Sequence, residues 1–104
     1  MTVDGDRVLA EVLAVDHFGN LLLTLGPPEL ERAGLLLGDP VEIQVGDRTF
    51  TAALGETFAA VPAGRLVVHA DSSGRIAISL NRGRAVERLH ARTGDQVVLS
   101  RSGR

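Results

Sequence analysis

Apolar residues in this chain come in short bursts, separated by Gly, Pro, Asp and Asn. Residues 8–15, VLAEVLAV, predict a strand: they are β-branched and apolar with one charge, Glu11, and Gly5 and Asp6 rather than a helix cap precede them. DHFGN (16–20) has the composition of a turn or bulge, and LLLTL (21–25) resumes as a strand. Gly26, Pro27 and Pro28 end it, because each proline removes a backbone donor. A short helix is predicted over 29–35, with Pro28 suited to its first turn and Glu29 and Glu31 at its positive end. VEIQV (41–45) alternates apolar and polar residues as a half-buried strand should. Gly46-Asp47 marks a tight turn, after which RTFTAAL (48–54) returns antiparallel.

Residues 55–64 read as a loop. RLVVHA (65–70) and RIAISL (75–80) are strands joined by the turn DSSG (71–74). NRGR (81–84) is a further turn, AVERLHAR (85–92) has helical spacing, VVLS (97–100) is the last strand and RSGR a tail. The fold class is therefore mainly β: one domain over residues 1–104, a small closed or partly open barrel of about seven short strands with two short helices. Closure removes the edge strands that so small a domain could not otherwise cover. One internal echo stands out. LLLGDPVEIQV and ARTGDQVVLS both pass through Gly-Asp into a strand, too irregularly spaced to make a repeat family.

Composition narrows the chemistry. A chain of 104 residues with 44% apolar content builds one core but no large enclosed pocket, so a ligand site is expected as a surface groove or half of an interface. Cysteine is absent, which excludes disulfides, Cys-ligated zinc and thiol catalysis. The net charge of −2 gives no bulk electrostatic case for nucleic acid. No apolar run is long enough for a membrane span and no signal peptide precedes the first strand, so a cytoplasmic protein without a membrane partner is expected.

His17, His69 and His90 fall in a turn, a strand and a helix without metal-motif spacing, so no metal is expected. Ser72, Ser73 and Ser79 have no base at a recognisable offset, and no nucleophile elbow or phosphate loop occurs. Arg75, Arg82, Arg84, Arg88 and Arg92 could form a basic patch, but a solvated helix face is preferred, since only three aromatics exist to stack bases. The turns FGN (18–20) and SSG (72–74) remain. Their glycines permit tight geometry, their polar groups could bond an adenine edge or a carboxylate, and Phe18 or Phe58 could stack on a planar ring.

VLAVDHFGNLLLTL, FAAVPAGRLVVHADSSGRIAISLNRGRAVERL and the closing GDQVVL carry a resemblance over residues 5–100. In them the chain resembles the C-terminal domain of the S-adenosylmethionine hydrolase (adenosine-forming) family, the SAM hydroxide adenosyltransferases, relatives of the fluorinating and chlorinating enzymes. DxFGN followed by SSG(x)6N is the specific pairing. The resemblance implies a two-domain subunit whose larger N-terminal α/β domain holds the ribose and positions water. That α/β domain is not among these residues, so in isolation the chain is expected to be inactive. It further implies homotrimers, with substrate between the α/β domain of one subunit and the barrel of its neighbour, and S-adenosylmethionine as substrate with no separate cofactor.

Residue by residue, Phe18 and Asn20 match the aromatic and amide on the adenine side, and Ser72 the serine that meets the methionine carboxylate. Ser73 falls where the halogenating relatives carry arginine, which argues against a halogenase. Asn81 and Arg82 fall where backbone groups contact adenine, and Phe58 lies near a stacking aromatic. Thr24 is followed by Leu25 where the family often reads T-N. No catalytic residue is assigned within the chain; the implied partners are S-adenosylmethionine or adenosine and an α/β domain in cis or trans. The rival readings are a structural or interaction barrel with a decayed ligand site, and oligonucleotide binding through the arginines.

Overall fold

The alternation in VEIQV becomes a strand whose Val41, Ile43 and Val45 are buried while Glu42 and Gln44 are half-exposed. The computed structural model describes residues 2–102. Among them run β1 (Thr2–Asp4), β2 (Arg7–Val15), β3 (Leu21–Leu23), β4 (Pro40–Val45), β5 (Arg48–Leu54), β6 (Leu66–Ala70), β7 (Ile76–Leu80) and β8 (Gln96–Arg101). Two short helices, α1 (Pro27–Arg32) and α2 (Ala85–Leu89), and a 3₁₀ turn at Phe58–Ala60 lie between strands.

The sheet order is β1-β2-β3-β7-β6-β5-β4-β8, and β8 pairs back onto β2. That last pairing closes a seven-stranded barrel of β2 to β8, with β1 as an extra strand on β2. Strand β2 serves several neighbours because it is long. Arg7–Glu11 pairs with β8, and Val12–Val15 with β3, across a register shift between Val12 and Ala14 that bends the strand. Inside the barrel, residues such as Val12, Leu21, Ile43, Val68, Ile78 and Leu99 are fully buried in one core. Removing such side chains from water is the main stabilising term for the fold.

Strands β5 and β6 run parallel, unlike the other paired strands. Parallel neighbours need a crossover, so residues 55–65 must travel back over the sheet. They cross the outer face of β6. A Cβ added to Gly55 would lie 2.6 Å from Ala60 Cβ and 3.1 Å from Val67, so glycine is required at this approach. The outer face of the β6–β7 hairpin is covered as a result. Val67, Ala77 and Ser79 are buried although their neighbours along the chain, Leu66, Val68, Ile76 and Ile78, are the ones that face the core.

The Gly-Asp echo is a structural one. The Leu36 N–H donates to Asp39 Oδ2 and the Arg92 N–H to Asp95 Oδ2, each at 2.8 Å. In both turns the Asp N–H returns to the carbonyl of the same residue at 3.0 Å. The turns lead into β4 and β8, which pair with each other.

Several boundaries differ from the sequence reading. Strand β1 was not expected. It forms a hairpin onto β2 at Gly5, whose φ is 64°. Helix α1 covers 27–32 rather than 29–35, because Pro27 and Pro28 themselves occupy its first turn and Glu29 Oε1 accepts the Gly26 N–H at 2.8 Å. Helix α2 ends at Leu89 rather than at 92, since His90 turns left-handed at φ 52°. The 55–64 loop contains the 3₁₀ turn, which Thr57 caps by accepting the Ala59 N–H. Arg101, read as tail, belongs to β8 and pairs with Asp39 at 2.9 Å; Gly103 and Arg104 of that tail lie outside the described residues. Among the described residues no helix is long and apolar enough to cross a membrane.

Candidate functional site

The 16–20 turn is organised by its first residue. Asp16 Oδ1 accepts the N–H groups of Phe18 and Asn20, both at 2.9 Å, and Oδ2 accepts a side-chain N–H of Asn20 at 3.0 Å. The backbone closes the same loop, with the Asp16 N–H donating to Asn20 O and the Gly19 N–H to Asp16 O, both at 3.0 Å. Gly19 sits at φ 81°, and a Cβ there would come within 2.8 Å of Arg84 Cβ. The turn is also backed from α2: the Val86 N–H donates to Gly19 O at 2.9 Å and Arg84 Nη1 to His17 O at 3.3 Å.

The 71–75 turn repeats this construction. Asp71 Oδ1 accepts the N–H groups of Ser73 and Arg75 at 2.9 and 3.0 Å, and the Ser73 hydroxyl at 2.7 Å. Its backbone bonds match too, from Asp71 N–H to Arg75 O and from Gly74 N–H to Asp71 O. Both motifs are thus one five-residue turn, Asp-x-x-Gly-x, built twice.

The electrostatics follow from these bonds. For Asp16, burial pushes the carboxyl up, but the Asn20 backbone and amide, the Phe18 N–H and the Arg84 charge together hold it below the usual carboxylate value. For Asp71, the Ser73 hydroxyl is the largest influence; with the Arg75 and Ser73 N–H groups and His69 it outweighs burial and holds that carboxyl low as well. A carboxyl with a depressed folded-state value stabilises the fold above its unfolded value, about pH 3.9, and loses that contribution as pH falls through the folded value. Stability should therefore fall as pH drops below about 4. A D16N/D71N double variant should show a shallower loss in urea titrations across that range; an unchanged slope would mean other groups control acid unfolding.

Four of the predicted site residues meet around one groove of about 420 Å³: Phe18, Asn20, Phe58 and Arg82, together with Ser79, Leu80 and Gly83. They come from three separate segments, the first turn, the crossover and the end of β7. Phe18 is 70% exposed and Phe58 55%. Two of the chain's three aromatics are thus left facing water at one place, which a core would normally absorb. Phe50 is half-buried and packs on the core. The His17 ring meets Phe18 edge-on with centroids 5.3 Å apart.

Arg82 enters the groove from a left-handed backbone, φ 61°. Asn81 lies beneath the wall. Its amide donates to Val61 O at 2.7 Å, its N–H to Arg65 O, and its carbonyl accepts from Gly64, so it seats the crossover that carries Phe58. Ser72 and Ser73 are exposed at the opposite end of β7 and do not line the groove. Between the two ends, on the outer face, Leu22, Ala77 and His69 are cross-strand neighbours.

One pairing was missed in the sequence. Ser79, read there as having no base, lies 2.7 Å from His69 Nε2. The signal was available in the hairpin register, which makes the two diagonal neighbours across the DSSG turn. Of the five clustered arginines, Arg84 pairs with Glu87 at 3.3 Å and Arg88 donates to Gly64 O at 3.2 Å. No group of His, Asp and Glu suited to a metal ion occurs among the described residues.

Comparison with known proteins agrees with the motif reading. The model of the SAM hydroxide adenosyltransferase C-terminal domain matches residues 10–98. An (R)-S-adenosyl-L-methionine hydrolase of Salinispora arenicola is 41% identical over 95 residues, which is 90% of this chain and 33% of that protein. Its namesake from Salinispora tropica is 37% identical over 94 residues, with the same coverage. The chain thus spans about a third of the length of the curated relatives it matches. Among solved structures, an uncharacterized conserved protein from Thermotoga maritima superposes with a TM-score of 0.92 at 33% identity, covering 96% of this chain and 38% of that one. A conserved hypothetical protein from Thermus thermophilus gives 0.66 at 31% identity, covering 93% and 37%. With the motif turns, the barrel and the family model in agreement over nearly its whole length, the chain belongs to the SAM hydroxide adenosyltransferase C-terminal domain family.

Proposed function

We propose that this chain is the substrate-binding and oligomerisation domain of an S-adenosylmethionine hydrolase, working in the cytoplasm. The carrying observation is the groove, where two exposed phenylalanines flank an amide that a carboxylate holds in place. An amide has two N–H donors and a carbonyl acceptor. Asp16 engages one N–H of Asn20, which leaves one donor and one acceptor side by side, the pattern that matches an adenine edge. Phe18 and Phe58 would contact the faces of the base. Ser72 and Ser73, at the far end of β7, would meet the methionine carboxylate.

On the family reading, the missing wall of the site belongs to an α/β domain, in cis or in trans, within a homotrimer. Water attacks the ribose C5′, the C5′–S bond breaks, and the products are adenosine, methionine and a proton. Sulfur leaves as a neutral thioether, so departure needs no general acid. The role of this domain is binding and alignment, which lowers the entropic barrier to an in-line displacement. Alone, it binds but does not catalyse.

An amide NMR titration tests this. Adenosine should shift Phe18–Asn20, Phe58, Ser79 and Arg82 saturably in the millimolar range. S-adenosylmethionine should add shifts at Ser72–Gly74. Asn20→Ala should keep the fold and weaken adenosine by about five- to tenfold, the worth of an ordinary hydrogen bond. Adenosine shifts that are absent or scattered over the barrel would sink the reading and leave a barrel without this ligand.

A further inference from the structure

We infer that Ser79, oriented by His69, is a specificity residue that makes the groove select 6-amino over 6-oxo purines. The inference rests on the groove being the adenine site. Ser79 is, among the described residues, the buried polar side chain of the barrel wall, 2% exposed, and it lines the groove beside Asn20. Its Oγ is 2.7 Å from His69 Nε2, and His69 Nδ1 is 3.2 Å from Ala70 O. A peptide carbonyl only accepts, so Nδ1 carries the proton of the neutral ring. Nε2 is then a bare lone pair, and the Ser79 hydroxyl donates to it. With its proton engaged, Ser79 presents only lone pairs to the groove.

The consequence is a fixed acceptor. A 6-amino group has two N–H donors. The carbonyl of Asn20, which Asp16 keeps from flipping by holding the amide nitrogen, takes one, and Ser79 takes the other. A 6-oxo purine offers an oxygen there, which would face two acceptors. Unpaired polar groups in a formed site discriminate strongly, because the loss on the wrong ligand exceeds the gain on the right one. The ring is backed by a carbonyl rather than a carboxylate, so the pair is an orienting device rather than an activated nucleophile.

Two measurements on the full chain test this. The first needs no ligand. Long-range 1H–15N correlation at about pH 8.5, above the imidazole range, should show His69 with its proton on Nδ1. A proton on Nε2 would make Ser79 the acceptor of that bond and overturn the inference. The second compares adenosine with inosine by NMR titration. Wild type should favour adenosine, and Ser79→Ala should reduce the inosine-to-adenosine Kd ratio by about tenfold. His69→Phe, which frees the hydroxyl to donate into the groove, should reduce it similarly, and His69→Gln, whose side-chain carbonyl can accept the hydroxyl, should restore it. A ratio unchanged in both Ser79→Ala and His69→Phe, with adenosine still bound in the groove, would overturn the role of this pair and leave the adenine site standing. Failure of wild type to bind adenosine would overturn both.

Discussion

Asp16→Ala should be the most damaging substitution outside the barrel core, lowering stability by about 2–3 kcal/mol. Three hydrogen bonds converge on this carboxylate, and bonds to a charged group are worth about 1.5–3 kcal/mol each when a partner is removed. Water replaces part of that at a half-exposed site, which is why the sum is not expected in full. Asp16 also fixes the corner against which α2 docks through Val86 and Arg84, so the change should be felt beyond the turn. Asp16→Asn should fall between the two, since one oxygen still accepts while the atom facing the Asn20 amide becomes a donor in one of its orientations. Urea unfolding of the three proteins would order them directly. An Asp16→Ala variant within about 0.5 kcal/mol of wild type would show that packing of α2, not the carboxylate, sets the turn.

This residue marks the limit of what could be read from the chain. Glycine and asparagine in DHFGN declared a turn, and the alternation of VEIQV with the Gly46-Asp47 corner declared the β4–β5 hairpin, because those signals are local. The closure between β2 and β8 joins the two ends of the chain, and no local pattern encodes it. Apart from the resemblance, the barrel was expected because a small domain of short strands must dispose of its edges. Pro28 was read as suited to a first helical turn, and Pro27 joins it there, since proline lacks only a donor that such a turn does not use; the strand expected to run to Leu25 stops earlier, at Leu23. His90 ends α2 in a left-handed conformation that composition assigns to glycine or asparagine, so nothing in AVERLHAR announced the stop.

The site was legible in part for the same reason. Phe18 and Asn20 share a turn, so their neighbourhood was visible. Phe58 reaches the groove only because β5 and β6 are parallel and the crossover must pass over β6. Its exposed, aromatic character made it a stacking candidate and the motif resemblance set it near the site; periodicity could not have done so. The Ser79–His69 contact was accessible in principle. Once Asp71 and Arg75 close their turn, counting back along the hairpin sets Ser79 opposite Val67 and diagonal to His69.

Phe18→Ala and Phe58→Ala should separate stability from function most sharply. Both rings are mostly exposed, so truncation removes little buried apolar surface, and urea midpoints should stay within about 0.5 kcal/mol of wild type. Adenosine binding should behave differently. Stacking of a base on an aromatic side chain is worth about 1–3 kcal/mol by alanine substitution, so each variant should weaken adenosine by about fivefold to over a hundredfold. Leucine at either position is the informative control. It keeps apolar area but not a flat π-face, so Phe18→Leu should recover less than half of the lost binding free energy if the ring stacks, and most of it if the ring is only an apolar wall. Should both alanine variants bind adenosine as wild type does, the exposed rings would have to be explained by a protein contact instead. That outcome would shift attention to the proposed contact with an α/β domain, because two exposed aromatics beside a left-handed arginine are a costly surface to maintain without something to cover them.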